Sequence, residues 1–258
     1  MTQDELPEPR QANATPWTIG DVARGVGVAV LAVVAIAFIM GIGTVLLVGI
    51  EAFVGLGTED IGGLLDVLAA QGHLDEWLLF MGVAMLAGEG VMPLAAWLFA
   101  SLKYRCGWRA LGFRSFDVRR GLLSAVLVVL AGLLIGFLYD LLLVSLGVDA
   151  PSAVPSEFTA SGPAFAMVAV LAVFVAPLAE ETFFRGFMFA GIAKRLGYVW
   201  GIVLSALLFS LAHMEVLALP PIFILGLLLA WLYVRTGSIW PCIVAHFGYN
   251  SIALLFMI

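Results

Sequence analysis

Apolar stretches near the length of a membrane span recur along almost the whole chain, and no other feature constrains its fold as much. A hydrocarbon core about 30 Å thick is crossed by roughly 20 helical residues. Inside it every backbone N–H and C=O must find a partner within the protein. Seven stretches meet or approach that length: residues 25–50, 77–102, 121–146, 163–193, 198–212, 221–234 and 239–258. They are continuously apolar rather than alternating in ten-residue segments, which excludes the strands of a β-barrel. A chain that is 63% hydrophobic and only 12% charged is also no soluble globular domain. The expected fold is all-α, a polytopic transmembrane helical bundle of about seven to eight helices.

Residues 1–24 are polar and carry Pro7, Pro9 and Pro16. They lack the short basic region and small-residue cleavage site of a signal peptide, so they are read as a cytoplasmic tail. Residues 25–258 are then a single membrane domain, with no internal repeat. The stretch 163–193 is long for one crossing and is expected to kink at Pro177 or to tilt. Residues 54–68, rich in Gly and Leu, suggest an added interfacial segment. Eleven of the twelve Lys and Arg fall on one side if seven helices alternate: Arg10 and Arg24, the run from Lys103 to Arg120, Lys194, Arg195 and Arg235. The opposite connections hold acids alone, among them Glu51, Glu59, Asp149, Glu157 and Glu215. The positive-inside rule therefore puts the N-terminus in the cytoplasm and the C-terminus outside. Cys106 and Cys242 fall near the reducing side and form no disulfide framework. No basic surface of the kind that binds nucleic acid is present.

The exception to the charge pattern is Arg185, inside an apolar span with Glu180 and Glu181. Ionised groups at bilayer depth cost about 2.5–3.5 kcal/mol each on insertion scales, so three within six residues demand a shared reason. Residues four apart share a helical face, so Glu181 and Arg185 can form an ion pair. Glu180, rotated by about 100°, then points elsewhere with a free carboxylate. His213 ends the fifth span, and His246 and Asn250 lie four apart in the last. At about 1.5 Å per residue from the basic ends, these side chains reach a similar level inside the bilayer. A carboxylate, two imidazoles and a carboxamide in a dry cavity suit hydrolysis. Glu180 and His213 can activate water, while His246 and Asn250 can hold an oxyanion. A zinc variant is also open, with Glu180, His213 and His246 as ligands and a fourth position for water. No HExxH or CxxC motif accompanies it, so no metal is assigned.

The segments EETFFR, FSLAH and HFGYN resemble the three signatures of the CPBP family, the CAAX-protease and bacteriocin-processing group of intramembrane proteases. Those signatures are a double glutamate with arginine four residues on, Phe-x-x-x-His, and His-x-x-x-Asn. RTGSIWPCIVAHFGYN and ALGFR extend the resemblance over about residues 110–250. It implies a near eight-helix membrane fold and an endopeptidase of the metal-free, glutamate type. Glu180 and His213 would activate water, and His246 and Asn250 would hold the oxyanion. Glu181, Arg185 and Phe209 would support them. The implied partners are the lipid bilayer and a membrane protein or lipidated, CAAX-like peptide as substrate. The implied location is a bacterial cell membrane.

Other readings explain part of the same residues. Glu181 and Arg185 account for themselves as a lock between helices, Asn250 as interhelical glue and Phe209 as core. Glu89 and Asp140, also within spans, can line a water path or pair with Arg185. A non-catalytic immunity or scaffold protein would need the same fold. A proton-coupled transporter would be expected to show inverted repeats with broken helices, and the sequence has none.

Overall fold

The computed structural model describes residues 15–49, 61–148 and 162–256. Thr18 opens the first helix, α1 (Ile19–Val48), through a capping box in which Thr18 and Asp21 satisfy each other's backbone N–H groups. A shorter helix, α2 (Ile61–Gln71), precedes α3 (Leu74–Leu102), whose last turn, Trp97–Leu102, widens into a π-helix. Asp117 caps α4 (Val118–Ser145) by accepting from the Arg120 N–H. The fifth helix, α5, covers residues 162–196. It is followed by α6 (Tyr198–Ala212), α7 (Leu219–Thr236) and α8 (Trp240–Leu255). The turn between α7 and α8 needs Gly237, which sits at φ 66° and donates its N–H to the Tyr233 carbonyl. The described residues thus form eight helices and contain no strand. Five of the helices are long and apolar enough to cross a membrane, whereas α6 has 15 residues.

Every span expected from the sequence is a helix. Large side chains on α1 and α4 such as Leu31, Phe38, Leu46, Leu127 and Phe137 point outward and stay exposed, as a lipid-facing surface requires. Half of the apolar window of α5 is buried, against 6% of that of α1, so α5 is the inner helix. It packs against α1, α3, α6, α7 and α8, while α4 closes the bundle on α7 and α8. One core gathers Phe183, Phe184 and Phe187 of α5 with Ala95 and Ala96 of α3 and Phe209 of α6. A second gathers Phe189 with Val128 of α4, Leu229 of α7 and Ala245 of α8.

The basic connections are tied to one another at a single end of the bundle. Lys103 and Tyr104 donate to the Asp21 carboxylate, which raises the Lys103 ammonium above its ordinary value. Lys194 donates to the Thr15 carbonyl, Arg235 to the Ser124 hydroxyl, and Ser238 to the Arg114 carbonyl.

Two boundaries differ from expectation. Residues 15–24 are part of the bundle rather than of a tail, because Thr15 and Trp17 are buried and the Trp17 indole donates to the Phe187 carbonyl of α5 at 2.9 Å. Residues 1–14 of the expected tail lie outside the described residues. So does 54–60 of the expected interfacial segment, while Ile61–Gln71 is the helix α2. The acids Glu51, Glu59, Asp149 and Glu157 also lie outside the described residues.

Candidate active site

The site is built on α5, whose backbone is not a uniform α-helix. After Gly162–Val170 it widens to a π-helix at Leu171–Val175, tightens at Ala176–Glu180, widens again at Glu181–Phe189 and ends as Ala190–Leu196. Pro177 has no N–H to offer the carbonyl four residues back, and the first wide turn lies directly ahead of it. The second is nine residues long, where most π-helical segments are single turns and mark functional sites. Tertiary contacts hold it. Gly186 lets the helix approach the loop, since a Cβ there would stand 2.5 Å from the Leu111 carbonyl oxygen.

Glu181 and Arg185 are both fully buried and paired, with Arg185 donating to Glu181 Oε1 at 2.8 Å. Arg185 also donates to the Gly226 carbonyl of α7 at 3.2 Å, and its guanidinium lies 4.3 Å from the centre of the Phe209 ring. The same Glu181 oxygen meets His246 Nδ1 at 3.0 Å. A carboxylate accepts, so His246 donates from Nδ1 and turns Nε2 the other way. Nε2 lies 3.8 Å from Glu180 Oε2, too long for a hydrogen bond. Glu180 is buried, and its Oε2 has no hydrogen-bond partner. His246 therefore stands between the two glutamates, holding one and facing the other.

His213 and Asn250 stand further out. His213 caps α6 and is exposed, and its Nδ1 lies 2.9 Å from the Phe209 carbonyl oxygen. That oxygen can only accept, so Nδ1 carries the proton and Nε2 is the free base. Among the described residues no hydrogen bond or ion pair joins His213 to Glu180. The link to the cluster is Phe209, whose ring meets His213 at 4.9 Å and His246 at 5.8 Å, both edge-on. Asn250 donates to the Ala172 carbonyl at 2.7 Å, inside the first wide turn of α5. The helix-glue reading of Asn250 thus describes one of its two N–H bonds.

Zinc does not fit this arrangement. Among the described residues no three His, Cys, Asp or Glu side chains gather to hold a metal ion, and the Phe209 ring packs against both histidines. Arg185 pairs with Glu181 and not with Glu89 or Asp140. Asp140 is exposed, whereas Glu89 lines an apolar cavity of about 520 Å³ between α3 and α5. Cys106 is free, and burial pushes its thiol up, away from a reactive thiolate.

Sequence reasoning missed three contributors: the Trp17 indole, the Gly226 carbonyl and the role of the Phe209 ring as the common neighbour of Arg185, His213 and His246. The first two are bonds from a side chain to a backbone carbonyl, which no side-chain motif encodes. Phe209 carries a signal, because it shares a helical face with His213 four residues on.

Residues 162–252, which span α5 to α8, match the family described as Type II CAAX prenyl endopeptidase Rce1-like. Over 89 residues the chain is 26% identical to a Bacillus subtilis (strain 168) protein named "Putative membrane peptidase YdiL", covering 34% of this chain and 36% of that one. Over 98 residues it is 33% identical to an "Uncharacterized 24.3 kDa protein" of Escherichia coli, covering 35% of this chain and 44% of that one. The chain thus spans less than half the length of either curated relative. No solved structure matches it.

Proposed function

We propose, from the match of residues 162–252 to the Type II CAAX prenyl endopeptidase Rce1-like family, that the chain is a CPBP-type integral membrane protease that cleaves a peptide bond of a membrane-embedded or lipidated, CAAX-like protein inside the bilayer. Glu180 is the base. It takes one proton from a water molecule, whose oxygen bonds to the scissile carbonyl carbon. The same proton passes to the amide nitrogen as the C–N bond breaks. Glu181 orients His246 as a carboxylate orients the histidine of a hydrolytic triad. The donors for the oxyanion are the second N–H of Asn250 and His246 Nε2, which can donate while Nδ1–H holds Glu181 only when the ring is the imidazolium. His213, with Nε2 free, is the second base on the side of α6. No step runs through a metal.

One observation carries this reading: Glu180, with a buried and unpartnered Oε2, faces an imidazole whose other nitrogen is held by Oε1 of a second carboxylate, itself paired with Arg185. Unlike Glu181, which Arg185 and His246 hold through Oε1, the Glu180 carboxylate makes no hydrogen bond among the described residues, so locking helices gives it no role. The basic end is cytoplasmic on this reading, and the membrane is that of a bacterial cell.

The test compares membranes from cells expressing wild type or Glu180→Gln at matched levels, with new N-termini mapped by mass spectrometry. Gln keeps size and hydrogen bonding but cannot act as a base. N-termini present with wild type and lost in the variant are expected. Identical profiles, with both proteins folded, would favour a non-catalytic immunity or scaffold role.

A further inference from the structure

Glu89 lies on α3, outside the matched segment, in the middle of an apolar helix. An acid at that depth needs an explanation, and pairing does not supply one. Among the described residues Glu89 has no ion pair, and its Oε2 is buried without a hydrogen bond. The cation nearest in role, Arg185, is spent on Glu181, the Gly226 carbonyl and the Phe209 ring. Glu89 is one of the residues lining the cavity between α3 and α5, whose wall also takes in Leu178, Ala179 and Thr182, on either side of Glu180 in sequence. The Glu89 and Glu180 carboxyls are close enough to repel each other.

The rest of that wall offers little to a water molecule's hydrogens. The Thr182 hydroxyl donates its hydrogen to the Leu178 carbonyl at 2.7 Å and keeps lone pairs that can still accept. Trp108 and Trp240 contribute indole N–H groups, which only donate. The remaining lining is aliphatic or aromatic apart from Gly90. Glu89 Oε2 is therefore the wall's buried side-chain acceptor left without a partner, and Glu180 Oε2 is another such oxygen. A water molecule has two hydrogens to place, and Glu89 and Glu180 offer two unpartnered oxygens; the third, Glu181 Oε2, belongs to a carboxylate already held by Arg185 and His246.

We infer that Glu89 orients the attacking water, accepting a hydrogen bond from one O–H while Glu180 removes the proton of the other. Glu89 takes no proton itself. The hydrogen it holds stays on the oxygen through addition and leaves with the new carboxyl group. This assignment rests on the protease reading. It adds a residue from α3 to a site otherwise drawn from α5, α6 and α8. A water molecule held at two points presents its lone pair to the carbonyl in one orientation, where a single contact leaves it free to turn.

The experiment uses the full chain, purified and reconstituted in phosphatidylcholine–phosphatidylglycerol vesicles. The probe is an internally quenched peptide carrying a farnesyl-cysteine followed by three residues. Wild type, Glu180→Gln, Glu89→Ala and Glu89→Gln are compared for kcat, KM and Tm. Glu89→Ala is expected to lower kcat by about 10–100-fold with KM within about twofold, the scale of a mispositioned reactant. Its Tm should not fall, because the removed carboxyl has no bonded partner. Glu89→Gln keeps a carbonyl acceptor and should recover most of kcat. An unchanged kcat in Glu89→Ala overturns the inference, as does a Tm that falls together with kcat, or a Gln variant as impaired as the Ala variant. Failure of the underlying reading looks different: wild type then leaves the probe intact, or Glu180→Gln cleaves it as well as wild type.

Discussion

Replacing Arg185 with Met tests the electrostatic core of the site most directly. Arg185 and Glu181 have no solvent exposure, so water cannot take over when one partner is removed. The substitution leaves Glu181 with His246 as its remaining donor and deprives the Gly226 carbonyl and the Phe209 ring of the guanidinium. Breaking a buried ion pair from one side costs about 3–5 kcal/mol, because a charge is stranded without its counter-ion. At roughly 2–4 °C per kcal/mol for a chain of this size, Tm should fall by about 6–20 °C. Thermal unfolding of the detergent-solubilised protein reads this directly. The companion Glu181→Gln/Arg185→Met removes the stranded charge and should return much of the loss, since replacing both members of a buried pair is often neutral. The coupling between the two changes is then a double-mutant cycle. A single Arg185→Met variant within about 1 kcal/mol of wild type, or a double variant no better than the single one, would refute the argument.

Two further outcomes follow from the helix contacts. Gly186→Ala places a methyl carbon 2.5 Å from the Leu111 backbone oxygen, which cannot swing aside as a flexible side chain would. A loss of about 1–3 kcal/mol is expected from this overpacking, read as a lower Tm, and a variant as stable as wild type would show that the loop yields freely. Lys103→Met removes the bond to Asp21, whose effect is to raise the Lys103 ammonium. A raised lysine contributes fully below its unfolded value and loses its contribution only as pH climbs through the folded one. The stability gap between Lys103→Met and wild type should therefore be constant from pH 6 to 9, and a gap that closes within that range would contradict the assignment.

The helices were legible because lipid imposes a length and a polarity on each of them, and the apolar runs register both. The Glu181–Arg185 pair was legible because i,i+4 spacing survives modest changes in helical twist. The wide turns of α5 were not. The same residues would also fit an α-helix, and what accompanies the π turns comes from elsewhere: Trp17 bonding the Phe187 carbonyl, Asn250 bonding the Ala172 carbonyl, and Gly186 closing on Leu111. Spacing also brought His213 to the level of Glu180, but level is not contact. The two side chains stand on different helices with Phe209 against His213, and a count along each helix carries no information on rotation about its axis.

The widened helix also explains how two neighbouring glutamates take different surroundings. Glu180 ends a tight segment and Glu181 begins a wide one, so the change in twist falls at their junction. Glu181 turns to Arg185 and His246 and is held by both. Glu180 is left beside the cavity that Glu89 lines. Stability alone gives no reason for this division, because a buried acid without a bonded partner costs free energy that an apolar residue of similar size would not. Among the described residues Glu89 and Glu180 carry that cost, on helices that meet at one cavity. Two such acids scattered over the bundle would be two local defects. With Glu89 in the wall of one cavity and Glu180 next to the wall residue Ala179, beside a histidine whose Nδ1 is held by Glu181, they are arranged as strained sites retained for chemistry are.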